Sequence, residues 1–199
     1  MLTRDQKDAL QEIANIGMGQ AGEVIARVLN EFVTLSIPRI LILKPNLIPP
    51  ALQRMVNSDS VSAVRQAFHG NLRGETIVLF GAQRCNDLAV LMGYTEEIDH
   101  ATEMEILLDI SNILVGACLG GIAKQVNADI GFSAPSLMAD HVPVSGILKI
   151  NDVPWECTLL VEVNFRLEKP GFACHLIILM PENELKALTG KIDRFMEAF

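Results

Sequence analysis

Apolar positions recur at helical spacing from Arg4 to Asn30, where Leu10, Ala14, Gly17, Ala21, Val24 and Val28 fall near one face at about 100° per residue. Val33 to Leu43 reads as an apolar, β-branched strand interrupted at Pro38, which marks an edge or a bulge because proline cannot donate to a ladder. Ser60 to His69 and Glu75 to Phe80 flank a Gly-Asn-Leu-Arg-Gly turn and predict a hairpin. A short helix is expected from Asn86 to Gly93.

The same order then returns. Thr102 to Asn127 is a long helical pattern, and Ile130 to Met138 is a strand carrying Pro135. Leu159, Val161, Val163 and Phe165 alternate with Leu160, Glu162, Asn164 and Arg166, the pattern of a strand buried on one face. A turn at 168–171 leads to the strand Cys174–Met180 and a closing helix, Asn183 to Met196. Val144 to Trp155 reads as an additional hairpin without a partner in the first half.

Position by position, Ile13/Ile110, Asn15/Asn112, Ile16/Ile113, Gly19/Gly116, Ala26/Ala123, Asn30/Asn127 and Pro38/Pro135 all differ by 97. The period is too long for a solenoid unit. The reading is a tandem duplication of a helix-strand-hairpin-helix unit, about 4–97 and 98–199, within one domain spanning 1–199. The expected class is α/β of the α+β type: a mostly antiparallel sheet with two long helices on one face.

Composition narrows the function. Half of the 199 residues are hydrophobic and 20% are charged, enough for a sizeable core and against disorder. Sixteen basic against 24 acidic residues give a net charge of −8, and the basic residues are scattered. Nucleic acid and anionic membrane surfaces are therefore poor partners. Cys85, Cys118, Cys157 and Cys174 stand apart, with no Cys/His set at metal-ligand spacing, so reduced thiols in a cytoplasm are expected and a metal site is not. The first nine residues lack a signal-peptide core, and no apolar run is read as approaching the roughly 20 residues that span a bilayer.

The two long helices carry the chemistry. The first reads Asp8-x3-Glu12-x2-Asn15-x3-Gly19, with Pro38 22 intervening residues beyond Asn15. The second reads Glu105-x3-Asp109-x2-Asn112-x3-Gly116, with Pro135 at the same remove from Asn112. Spacings of three and four align these side chains in one stripe, expected opposite the Ala14, Ala21, Val24, Val28 face and so toward solvent. Gly19 and Gly22 lie on or beside it, and a mid-helix glycine there points to close approach of another backbone. An amide is a weak base but orients water well, because it offers both an acceptor and donors. That suffices when the electrophile is already reactive, as in phosphoryl transfer, where positioning and electrostatics dominate.

At these residues the sequence resembles the CheC-type chemotaxis phosphatases of the CheC/CheX/FliY family. Their signature runs acidic residue, three residues, Glu, two residues, Asn, then Pro after 22 more. Glu12, Asn15 and Pro38 match it; Asp109, Asn112 and Pro135 match with Asp in place of Glu. The resemblance implies hydrolysis of the aspartyl phosphate of the response regulator CheY. Asn15 and Asn112 would place the attacking water, Glu12 and Asp109 would contact the regulator's lysine, and Asp8, Gly19, Glu105 and Gly116 would support them. It implies no cofactor of the chain's own, with the Mg²⁺ belonging to the regulator, and binding of the receptor deamidase CheD. The alternative is a non-catalytic adaptor for CheD or a flagellar-switch component. Aspartate is one methylene shorter than glutamate, so the Glu12/Asn15 site is expected to carry the larger share.

Overall fold

Period-two alternation in the long strands decides which side chain meets which layer. In the computed structural model, which describes residues 2–56, 58–81, 89–90, 92–94, 98–147, 158–167 and 173–197, the order is α1 (Arg4–Leu29), β1 (Val33–Leu35), β2 (Arg39–Leu43), α2 (Ile48–Met55), β3 (Ser60–Gly70), β4 (Gly74–Gly81), α3 (His100–Gln125), β5 (Ile130–Phe132), β6 (Ser136–Pro143), β7 (Thr158–Leu167), β8 (Ala173–Pro181) and α4 (Glu182–Met196). Val78, Phe80, Leu159, Val161, Val163, Leu176 and Ile178 face the layer of α1, α3 and α4. Their neighbours Ile77, Leu79, Leu160, Ile177 and Leu179 face the other way, onto Ile48, Leu52 and Val56 in and after α2. The fold is α+β, and every strand pairing among the described residues is antiparallel.

The sheet runs β1-β7-β8-β4-β3-β5, with β2 sharing the flank of β7 with β1, and β6 sharing the flank of β3 with β5. Each edge is thus one strand broken in two. The break falls at Pro38 on one side and Pro135 on the other, where a missing N–H cannot serve the ladder. The 97-residue offset carries into the geometry: β1 begins at Val33 and β5 at Ile130, β2 at Arg39 and β6 at Ser136. The broken edge of the first half lies on β7 of the second, and that of the second lies on β3 of the first.

Helix ends follow local chemistry. Thr3 and Gln6 form a reciprocal capping box on α1, and Gln6 Nε2 also donates to Asp193 Oδ1 on α4 at 2.8 Å. Asp99 Oδ1 accepts from Thr102 N–H and caps α3. The repeated Asn30 and Asn127 are explained here: both take left-handed backbone, φ 52° and 47°, just past the helices. The N–H groups of Glu31 and Ala128 then reach back to the carbonyls of the repeated Ala26 and Ala123.

Four expectations are corrected. Val24 and Val28 are 47% and 56% exposed; the buried face of α1 is Leu10, Ile13, Ala14, Gly17, Met18, Ala21, Ile25 and Leu29, a stripe rotated by about one position at its C-terminal end. The second face of β7 is not left to solvent, since Leu160 is buried in the α2 layer and Glu162 is 2% exposed. No described atom lies within 4 Å of a Cβ added at Gly19, and only the Leu35 side chain approaches one at Gly22; backbone contact occurs instead between Gly17 and Gly121. Finally, α3 is long and apolar enough to cross a bilayer by length and composition, yet it packs its apolar residues against α1 and the sheet. The expected helix at Asn86–Gly93 lies largely outside the described residues, as do the turn at 168–171 and most of the hairpin at Val144–Trp155, of which Val144–Gly146 forms a 3-10 turn.

Candidate functional site

Burial of Ile13 and Ile110, both fully enclosed, turns the neighbouring polar positions of α1 and α3 outward. Asp8 and Glu12 are exposed and Asn15 partly so; Glu105, Asp109 and Asn112 are exposed on α3. Ala14 is buried, as its position behind the stripe requires. Gly19 and Gly116, a turn beyond each asparagine, have open space where a side chain would stand. Asp8 lies 4.0 Å from Arg4, an exposed pair of little energetic weight.

The proline-interrupted edges lie beside the asparagines, and a serine clamps each edge. Ser36 N–H donates to Asn164 O while Ser36 Oγ accepts from Asn164 N–H, both at 2.9 Å. Ser133 makes the same two bonds to Ala67, each at 3.0 Å. Ser36 and Ser133 also differ by 97, so the offset that located the asparagines would have located this pair.

Each asparagine is then tied to its edge by a glutamine. On α1, Gln11 Nε2 donates to Pro38 O at 2.8 Å and lies 3.4 Å from Asn15 Oδ1. Beside α3, Gln66 Nε2 on β3 donates to Ser133 O at 2.8 Å and to Asn112 Oδ1 at 2.9 Å. A backbone carbonyl accepts only, so each glutamine must turn its NH₂ this way, and the asparagine must answer with its oxygen. Neither asparagine Nδ2 has a hydrogen-bond partner among the described residues. Sequence patterning did not single out either glutamine.

Next to Asn15 a groove of about 470 Å³ runs between α1 and the 32–38 segment, with Gly22, Phe32, Ile37 and Pro38 along it. Phe32 and Ile37 are 66% and 74% exposed, so the surface beside the first asparagine is apolar. Elsewhere, Asp140 on β6 gathers Ser62, His141 and His100 at 3.0, 2.6 and 3.4 Å. Desolvation works to raise the Asp140 pKa, but hydrogen bonds from His141 and Ser62, with the histidine charges, hold it below the ordinary carboxylate value. This cluster ties β6 to β3 and to the start of α3. Burial alone pushes the Cys118 thiol up to about 12, and burial with Cys118 nearby pushes Cys174 well above its usual value. Among the described residues, no three His, Cys, Asp or Glu side chains gather as a metal site.

Comparison with known proteins finds likeness in one sequence segment and in the fold. Residues 6–42, which hold Asp8, Glu12, Asn15, Gly19 and Pro38, match the model of the CheC-like family. FliY of Thermotoga maritima has a similar solved structure, with TM-score 0.71 at 18% identity over 98% of this chain and 99% of that one. A CheX from Desulfovibrio desulfuricans matches at TM-score 0.55 and 15% identity, over 85% and 99% of the two chains. The FliM middle domain from H. pylori matches at TM-score 0.60 and 12% identity, over 96% and 99%. At these identities the structural likeness is one of fold.

Proposed function

We propose that this chain, which matches the CheC-like family over residues 6–42 and shares its fold with FliY, CheX and FliM, hydrolyses the aspartyl phosphate of a CheY-type response regulator. The observation that carries the proposal is the paired asparagine on two exposed helix stripes, each with its oxygen turned inward by a glutamine and an acidic residue one turn before it. Docked on a regulator, Asn15 or Asn112 would hold a water in line with the phosphorus. The water oxygen bonds to phosphorus as the P–O bond to aspartate breaks, giving inorganic phosphate and a free carboxylate. Glu12 and Asp109 would pair with a lysine beside that phosphate, while Asp8 and Glu105 add attraction at longer range. The empty space at Gly19 and Gly116 lets the partner's backbone approach. In this reading the Mg²⁺ sits on the regulator and neutralises the phosphoryl oxygens. A net charge of −8 also suits a cytoplasmic protein whose partner presents a lysine.

The fold favours one second reading. FliM shares it and is recorded in complexes with FliG and with SpeE. An adaptor or flagellar-switch component, or a CheD-binding protein, would use the same helices and the apolar groove for docking without chemistry. Phosphate release from a panel of phosphorylated CheY-type receiver domains separates the two. Asn15→Ala with Asn112→Ala should keep the circular dichroism spectrum and lose roughly 10²- to 10³-fold in turnover. A folded double variant with undiminished turnover would remove the asparagines from the chemistry, and no turnover by the wild type on any receiver would leave the adaptor reading.

A further inference from the structure

We infer that Gln66 is a positioning residue for the second site: it fixes the Asn112 amide with its nitrogen outward, and among the described residues the first site has no equivalent anchor in the sheet. The inference rests on the phosphatase reading for its kinetic consequence and on geometry for the rest.

Gln66 is 2% exposed in the middle of β3, a strand paired on both flanks. Its own backbone is held, since its carbonyl accepts from Thr76 Oγ1 at 2.8 Å. The side-chain nitrogen spends both donors, one on Ser133 O and one on Asn112 Oδ1, while Oε1 has no hydrogen-bond partner among the described residues. A buried acceptor without a partner is costly, and an apolar side chain would avoid the cost. The arrangement is therefore a poor choice for stability alone, and its product is one oriented amide at the surface.

The other half makes the contrast. Positions 97 beyond Gln66 and Gln11 are Val163 and Leu108. Val163 is fully buried and apolar, so nothing from β7 at that position can hold Asn15. Gln11 replaces it from the helix itself, at 3.4 Å from Asn15 Oδ1, a distance at the limit of a hydrogen bond. Asn112 is thus held by a group fixed in the sheet, and Asn15 by a side chain on its own helix. Preorganised groups lose less on reaching the reactive geometry, and a misplacement near 1 Å can cost about 10²-fold.

The test pairs a spectroscopic readout with kinetics. In the wild type, NMR order parameters of the asparagine side-chain amides should be higher for Asn112 than for Asn15; equal mobility overturns the inference, even if every variant misfolds. Gln66→Met removes both donors in an apolar side chain of similar length, and should loosen the Asn112 amide while leaving Asn15 unchanged. In an Asn15→Ala background, Gln66→Met should lower kcat on a phosphorylated CheY-type receiver about 10- to 100-fold with KM unchanged. With Asn112→Ala present and Asn15 intact, it should cost nothing further. An equal loss in that background would mark Gln66 as merely structural and end the inference. If no receiver is hydrolysed, the phosphatase reading falls, and the amide dynamics alone decide whether Gln66 holds Asn112.

Discussion

The backbone of Gly17 on α1 meets that of Gly121 on α3, and this contact sets the separation of the two helices that carry the asparagines. A Cβ at Gly17 would stand 2.7 Å from Ile122 N, and one at Gly121 would press on the Gly17 carbonyl. Backbone atoms cannot give way as a flexible side chain can, so Gly121→Ala should destabilise by overpacking, by about 1–3 kcal/mol. Gly120→Ala is the control: no described atom lies within 4 Å of its new Cβ, and helix propensity favours alanine by about 1 kcal/mol. Urea unfolding should move the two midpoints in opposite directions. A neutral Gly121→Ala would show that the helices do not cross so closely.

Why the sequence reading turned the asparagine stripes outward but missed the glycine pair at the helix crossing follows from what periodicity encodes. A hydrophobic stripe fixes a helix face to within a residue or so, and Val24/Val28 fit the stripe nearly as well as Ile25/Leu29. Only packing against α3 decides between them, and it also makes Gly17 rather than Gly19 the close approach. The broken edge strands were legible from Pro38 and Pro135, because a missing donor is a local property. Their exchange between halves was not, since alternation names a strand's faces and not its partner. Gln11 and Gln66 escaped for a sharper reason. Comparing the halves by identity finds residues that repeat, and these two sit opposite Leu108 and Val163.

Glu162 is 2% exposed on β7, within 3.3 Å of Arg39 on β2 and 3.7 Å of His175 on β8. Arg39 is the residue after Pro38, so this pair also fastens the edge beside the first asparagine. Removing the arginine leaves the buried carboxylate with only His175 beside it among the described residues, a change that costs about 3–5 kcal/mol when a buried pair loses its partner outright; Arg39 is 63% exposed, which puts the expected loss at or below the lower end. Arg39→Gln should therefore lower the denaturation midpoint clearly, and adding Glu162→Gln should restore much of it. A double variant no better than the single would show that the carboxylate is not what suffers.

The buried thiols give a prediction with a defined sign. Cys118 has its pKa raised from 9.0 to about 12, and Cys174 is raised as well. Between about pH 9 and 12 the unfolded chain releases thiol protons that the folded chain keeps, so stability is full below that window and falls through it. At pH 8 both thiols should resist maleimide until the protein is unfolded, read peptide by peptide by mass spectrometry. Cys118→Ala combined with Cys174→Ala should flatten the alkaline loss of stability. Rapid native labelling of either residue would contradict their burial.

The shorter acid of the second site predicts a change in binding rather than in chemistry. Asp109 and Asn112 are exposed on α3, one turn apart, and the carboxylate of aspartate ends about 1.5 Å nearer the helix than that of glutamate. If Asp109 grips a lysine of the regulator, lengthening it should strengthen an exposed ion pair, a class worth roughly 0.2–1 kcal/mol. Asp109→Glu in an Asn15→Ala background, where only the second site can act, should lower KM up to about fivefold and leave kcat nearly unchanged, since one kcal/mol is about fivefold. The gain should shrink as salt rises, because exposed charges are screened. The opposite substitution at the first site, Glu12→Asp in an Asn112→Ala background, should raise KM by a similar factor. The two experiments bear on the ranking of the sites, where acid length favours Glu12/Asn15 and the Gln66 anchor favours Asn112. A kcat advantage for the second site that survives a KM advantage for the first would assign anchoring to chemistry and acid length to capture. Changes in kcat alone on altering either acid would place the carboxylates at the reacting phosphate rather than on a docking lysine.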